Sequence, residues 1–168
     1  MKKYIWKKEY GIGVKLIDEQ HRQFFKIAND LLDLLGKKTI NRKRISAIAF
    51  TLGDYTFYHL KTEEDYLIKF GLDNKAKSHI LSHKAFRKKV EGFLAKIENK
   101  NSNIELVAKD MVDFTVDWIQ NHLLTADKKY TKLLLDKGVK ASELATNPSL
   151  SAIRGKPRRV RKEAATSA

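Results

Sequence analysis

Apolar residues return every three or four positions along four long stretches of this chain, and strand-like alternation is absent over any useful length. The first stretch runs from Asp18 to Leu35, with His21, Phe24, Phe25, Ala28, Leu31, Leu32 and Leu35 on one stripe, Asp18 as N-cap and Gly36 as stop. The second runs from Asn41 to Phe70 through Ile45, Ile48, Leu52, Tyr55, His59, Glu63 and Tyr66, and Gly71 ends it. The third runs from Asp73 to Glu98 through Ala76, His79, Ile80, His83, Phe86, Val90, Phe93 and Ile97. The fourth opens on the capping-box sequence Ser102-Asn103-Ile104-Glu105 and continues through Val107, Met111, Phe114, Thr115, Trp118 and His122. A shorter periodic segment, Lys128 to Asp136 with Tyr130, Leu133 and Leu134, is placed to cover one end of the assembly.

Short connections between the long segments favour sequential antiparallel packing, so the pattern predicts an all-α fold: an up-down-up-down four-helix bundle with a short C-terminal helix. The histidines lie on the buried stripes. His21 is early in the first helix, His59 and Glu63 are late in the second, His79 and His83 early in the third, and His122 and Asp127 late in the fourth. Early on odd helices and late on even ones is the same end of an antiparallel bundle. Each four-residue pair, His59/Glu63 and His79/His83, also shares a helix face. His122 and Asp127 are different. Five residues on a straight α-helix turn through about 140° net, so both side chains face inward only if a π-type turn or a break falls near Leu123 to Ala126.

Composition narrows the chemistry. The chain has 168 residues and five histidines, all of them in this constellation, and no cysteine. Disulfides, iron–sulfur clusters and covalent c-type haem are thereby excluded. A lone His-x-x-x-His is more often coincidence or a zinc site. Here, however, seven nitrogen and oxygen donors exceed what one tetrahedral zinc takes, and no thiolate is present to favour it. They suit a pair of ions of higher coordination number, and iron leads. Five imidazoles, two bridging carboxylates and one solvent-derived bridging oxygen fill all but one position of two octahedral ions. A single open position suits a small ligand such as dioxygen. Two-electron transfer to dioxygen with movement of one proton inside the site leaves its formal charge unchanged, and a buried site penalises any change of charge. A histidine-rich set favours reversible binding, whereas the carboxylate-rich sets of di-iron oxidases favour higher oxidation states.

These residues carry a resemblance. Trp6 with Gly11-Ile12-Gly13, Ile17-Asp18-Glu19-Gln20-His21, His59-Leu60-Lys61-Thr62-Glu63-Glu64, and Trp118-Ile119-Gln120-Asn121-His122 with Asp127 and Tyr130 resemble the hemerythrin family, in particular its bacterial members, from about Trp6 to Tyr130. Myohemerythrin is itself a worked example of the up-down bundle, so the resemblance and the fold expectation are not independent. The resemblance implies that His79, His83 and His122 hold one iron and His21 and His59 the other. It further implies that Glu63 and Asp127 bridge them with an oxo or hydroxo group, and that dioxygen binds the two-histidine iron. Glu64, one residue off the stripe, is expected to be dispensable to the site. The tyrosine-proline dipeptide common before the third helix of the family is replaced by Phe70-Gly71.

The expected domain is 1–136, a di-iron bundle, followed by a tail, 137–168, with eight basic and two acidic side chains. Six of the nine residues from Arg154 to Lys162 are basic, a composition expected to remain disordered and solvated. Weak contact with nucleic acid or an anionic membrane is the other reading of that charge. No run approaches the ~18 apolar residues of a membrane span and no signal peptide is evident at the start, so a cytoplasmic setting is expected. The function expected is oxygen carriage, storage or buffering, not enzymatic turnover. The alternatives are an oxygen or redox sensor that signals to a partner, and a di-iron enzyme acting on peroxide or nitric oxide.

Overall fold

The computed structural model describes residues 3–145, which are all-helical. Helix α1 spans Lys15–Leu35 and α2 spans Arg42–Tyr55. The latter continues through a π-helical segment, Thr56–Leu60, into α3, Lys61–Lys69, so that these three pieces form the second leg of the bundle. Helix α4 spans Lys77–Glu98. Helix α5, Ile104–Trp118, runs through a second π-helical segment, Ile119–Ala126, into α6, Asp127–Asp136. Helix α1 packs on α2 and α5, and α4 packs on α2 and α5, which closes the antiparallel four-helix ring expected from the sequence.

Several boundaries differ from the sequence expectation. Helix α1 begins before Asp18, whose carboxylate instead accepts the backbone N–H of Ile12 at 2.8 Å and ties down the loop ahead of the helix. That loop runs so close to Asp18 that a Cβ on Gly11 would lie 3.2 Å from the carboxylate. Helix α4 starts at Lys77, not Asp73, because Gly71 at φ 63° turns the chain and residues 73–76 are spent in the turn. Asn103, not Ser102, caps α5, accepting the N–H of Leu106 at 3.1 Å.

Two apolar clusters divide the interior. The larger fills the bundle below the histidines with Phe24, Leu31, Ile45, Leu52, Phe86, Phe93, Met111 and their neighbours. The smaller sits at the opposite end, built from Val14, Ile17, Tyr66, Leu67, Leu72, Tyr130 and Leu134. Every leg passes from one cluster to the other at its histidines or carboxylates: Ile17–His21–Phe24, Leu60–Glu63–Tyr66, Ala76–His79–Phe86 and Leu123–Asp127–Tyr130. As the pattern suggested, α6 caps this end.

The chain does not leave the bundle at Asp136, where the sequence placed the domain boundary. Gly138 at φ 84° reverses it, and Val139 and Leu144 bury themselves in the smaller cluster. Two isolated apolar residues in a basic stretch carry no period, which is why pattern alone assigned them to the tail. The basic run Arg154–Lys162 lies outside the described residues, as does the contact with nucleic acid or membrane expected of it.

Candidate metal centre

The two π-helical segments are what aim the site. In the second, the Asp127 N–H donates to the His122 carbonyl five residues back, the widened turn that the His122/Asp127 spacing requires. Both side chains are thereby turned inward. The first segment, which sequence did not foretell, carries His59 into the interior ahead of Glu63. Its Lys61 N–H donates to the Thr56 carbonyl, again five residues back.

All seven expected residues meet at one place. His21, His59, Glu63, His83 and Asp127 are fully buried, and His79 and His122 nearly so. Their donor atoms form two overlapping groups in which all atoms lie within 4.8 Å of one another: Glu63, His79, His83, His122 and Asp127, and His21, His59, Glu63 and Asp127. The carboxylates are shared and the histidines are not. Glu63 turns Oε2 toward Nε2 of His79 (2.9 Å) and His83 (3.4 Å), and Oε1 toward Nε2 of His59 (3.9 Å). Asp127 turns Oδ1 toward Nε2 of His122 (3.1 Å) and Oδ2 toward Nε2 of His21 (3.0 Å) and His59 (3.6 Å). Each carboxylate thus offers one oxygen to a three-histidine set and the other to a two-histidine set.

The cluster's internal bonding is incomplete without a cation. Glu63 Oε1, Asp127 Oδ1 and His59 Nε2 are buried without a hydrogen-bond partner, and Nε2 of His83 and His122 face each other at 3.1 Å. Burial, together with the Asp127 charge, pushes Glu63 up to about 7. Burial would raise Asp127 too, but the imidazoles of His122, His21 and His59 hold it well below the usual carboxylate range. Burial depresses His59 to about 3 and lowers His79 and His122. Neutral imidazoles beside carboxylates that resist joint ionisation form a donor set suited to a hard or borderline cation, and the residues fit iron.

Acid is expected to dismantle the site. Between the ordinary histidine value of 6.5 and about 3, the unfolded chain takes up a proton that buried His59 refuses. The contribution of His59 to stability is therefore present above 6.5 and is lost as the pH falls through that window. Metal ligation demands the same neutral form, so bound iron should be released over this range. Iron counted after desalting at stepped pH checks it, and full occupancy below about pH 3 would contradict histidine ligation.

A second layer, which the sequence did not single out, orients the imidazoles. The Gln20 side-chain oxygen lies 3.2 Å from His59 Nδ1, and its amide donates to the Tyr58 carbonyl at 3.1 Å. Ser82 Oγ lies 3.3 Å from His122 Nδ1. Glu64 was expected to be dispensable, yet it lies 3.1 Å from His83 Nδ1 and takes a two-pronged ion pair from Arg87 at 2.8 and 3.1 Å. Its carboxyl is partly desolvated, but His83 and Arg87 hold it near about 2. The i+4 face of the second leg points Glu63 inward, while Glu64 reaches sideways to the third leg, a placement only the packed bundle reveals. Such partners fix the tautomer and orientation of a metal-ligating histidine. Aromatic rings wall the cluster: Trp118 stacks on His122 at 3.7 Å, Tyr55 on His59 at 4.8 Å and Tyr130 on His79 at 5.2 Å.

A helical bundle around a buried histidine–carboxylate cluster with shared carboxylates defines a class of non-haem metal-binding domains. Residues 12–134 match the family described as the hemerythrin HHE cation binding domain, and the chain belongs to that family. It is 36% identical over 129 residues to a bacteriohemerythrin of Clostridium acetobutylicum, covering 76% of this chain and 98% of the relative. A bacteriohemerythrin of Methylococcus capsulatus is 33% identical over 123 residues, covering 73% of this chain and 88% of its own. A hemerythrin-like protein of Naegleria gruberi is 26% identical over 129 residues, covering 77% and 92%. All seven residues of the cluster, from His21 to Asp127, fall inside the matched region. Among the described residues no helix is long and apolar enough to cross a membrane.

Proposed function

We propose that the cluster holds two non-haem irons linked by Glu63, Asp127 and an oxo or hydroxo group, and that the pair binds dioxygen reversibly in a carrier, storage or buffering role, without turnover. The observation that carries this reading is the division of each carboxylate between the two histidine sets. When bound, the iron pair would supply the electrons that dioxygen binding needs. Nε2 of His79, His83 and His122 would hold the more fully ligated iron, and Nε2 of His21 and His59 the other, which has one protein donor fewer. The His21/His59 side, with one protein donor fewer, is where an exogenous ligand would be taken up. Glu63 and Asp127 would offset cationic charge and keep the ions at the ~3.5–4 Å typical of two-metal sites. The apolar clusters above and below exclude water, which favours release of an unaltered ligand over side reactions.

Protein purified with iron should hold about two ions per chain, bridged as in other two-metal sites. His83→Ala removes one nitrogen from the three-histidine set and also the imidazole partner of Glu64, which keeps its ion pair with Arg87. Iron per chain should fall toward about one, measured by elemental analysis beside protein concentration. A variant with full iron and an unaltered optical spectrum would show that the ligand set is wrong.

A further inference from the structure

Two of the seven cluster residues reach the protein surface, and they do so in the same place. The side chains of His79 and His122 are 8% and 5% exposed, whereas those of the other five are fully buried. Both histidines line a cavity of about 480 Å³ between the start of α4 and the second π-helical segment with α6. That volume suits a small organic ligand. The exposed side chains of Lys75, Ser78 and Lys129 stand around it, and no carboxylate lines it. Among the described residues neither lysine ammonium meets an acid or a hydrogen-bond acceptor. The first turn of α4 joins the wall through Ser78 and His79, with no side-chain cap and no acidic residue. A 22-residue helix therefore presents its positive end beside two unpaired cations.

His79 adds an independent sign of a missing partner. Its Nε2 faces Glu63 at 2.9 Å, and its Nδ1 is buried without a hydrogen-bond partner. Three of the other four imidazoles are held at Nδ1: His59 by Gln20, His83 by Glu64 and His122 by Ser82. His21 shares the lack, but its side chain is fully buried, whereas the His79 ring lines the cavity. We propose that this cavity binds a small oxyanion bearing phosphate or carboxylate, held by Lys75, Lys129 and the start of α4, with one oxygen accepting from His79 Nδ1. The proposal rests on the dinuclear reading above, since a metal ion at Nε2 leaves the imidazole proton on Nδ1. Nδ1 itself is covered, so the oxygen reaches it with a small shift of the exposed side chains around the cavity. The anion then does for His79 what Glu64 does for His83. It fixes the tautomer and orientation of the ring through a charge-assisted hydrogen bond, and so tightens the three-histidine set around its ion. Bound anion and bound iron therefore stabilise each other.

The test uses inorganic phosphate and succinate as probes on full-length protein with its iron counted. Binding is measured by calorimetry, and iron release by transfer to a strong chelator with and without each anion. Wild type should bind at least one of the two saturably, and the tighter one assigns the ligand as phosphate or carboxylate. The double variant Lys75→Ala with Lys129→Ala should keep its iron and bind that anion at least about tenfold more weakly, because two charge-assisted hydrogen bonds are lost. Lys26→Ala with Lys43→Ala removes the same charge from exposed positions outside the cavity and should bind as wild type does. The anion should slow iron release from wild type about tenfold, in line with other outer partners of ligating histidines, and should not slow it in the Lys75/Lys129 variant. If the protein holds its iron pair but binds neither anion, the cavity proposal alone is refuted. If the Lys75/Lys129 variant binds as tightly as wild type, or no more weakly than the Lys26/Lys43 variant, the anion sits elsewhere and the proposal is again refuted. Binding at the cavity that leaves iron release unchanged would overturn the role given to His79. A protein without an iron pair would overturn the dinuclear reading and this role with it.

Discussion

Glu63→Ala should abolish the dinuclear centre, reducing iron from about two per chain to one or none, while Glu64→Ala should keep the iron but bind it more weakly. The difference lies in what each carboxylate touches. Glu63 is fully buried, and its two oxygens are divided between the histidine sets, so its loss would remove one donor from each set and one of the two carboxylate charges that would offset the ions. Nothing in the smaller or larger apolar cluster can replace that charge. Glu64 touches no ion-facing nitrogen. It orients His83 through Nδ1 and is itself held by Arg87. Loss of such an outer partner lowers metal affinity by about 10–100-fold without removing a ligand. Competition with a graded chelator separates the two outcomes. Equal loss of iron in both variants would mean that the carboxylates are not divided into ligand and support as the geometry divides them.

Truncation after Asp136 should destabilise the protein sharply, whereas removal of residues 146–168 alone should leave its melting temperature and iron content unchanged. Val139 and Leu144 are buried in the cluster that seals the metal end, against the same group as Tyr66, Leu67, Tyr130 and Leu134. Burial of each such side chain is worth about 1.5–3 kcal/mol. Losing both removes a large share of the ~5–15 kcal/mol that holds a typical domain together. A melting temperature lower by about 10 °C or more is expected by calorimetry or circular dichroism. Truncation at Asp136 should also release iron faster, because Tyr130, stacked on His79, and Leu134 lose their cover. An unchanged melting temperature after truncation at Asp136 would show that the 139–144 packing contributes nothing.

The sequence announced the bundle because its four legs repeat at helical period. It announced the seven-residue cluster because every histidine lay on a buried stripe at one end. The π-helical turn at His122–Asp127 was legible for a geometric reason, since residues five apart cannot share a face of an α-helix. The turn before His59 was not. A four-residue spacing fits an α-helix as well, and nothing in Thr56–Leu60 demands a wider one. Glu64, Gln20 and Ser82 were illegible because their partners lie on other legs, and a side chain's reach across a bundle has no period. Val139 and Leu144 were missed for a related reason. They join the core through a turn at Gly138, and short irregular segments declare their burial only when the surface they cover is in place.

Reversible binding of dioxygen at a histidine–carboxylate iron pair, as proposed above, predicts a spectrum that cycles with oxygen. Protein with its iron counted is reduced without oxygen, mixed with oxygen in a stopped-flow spectrometer, and then stripped of oxygen under vacuum or inert gas over several cycles. A visible absorption band should rise on mixing, disappear on stripping and return with its full amplitude, with about one dioxygen taken up per iron pair. A band that never fades on stripping, or oxidation to a state that oxygen removal does not reverse, would contradict the account and assign the centre to redox chemistry instead.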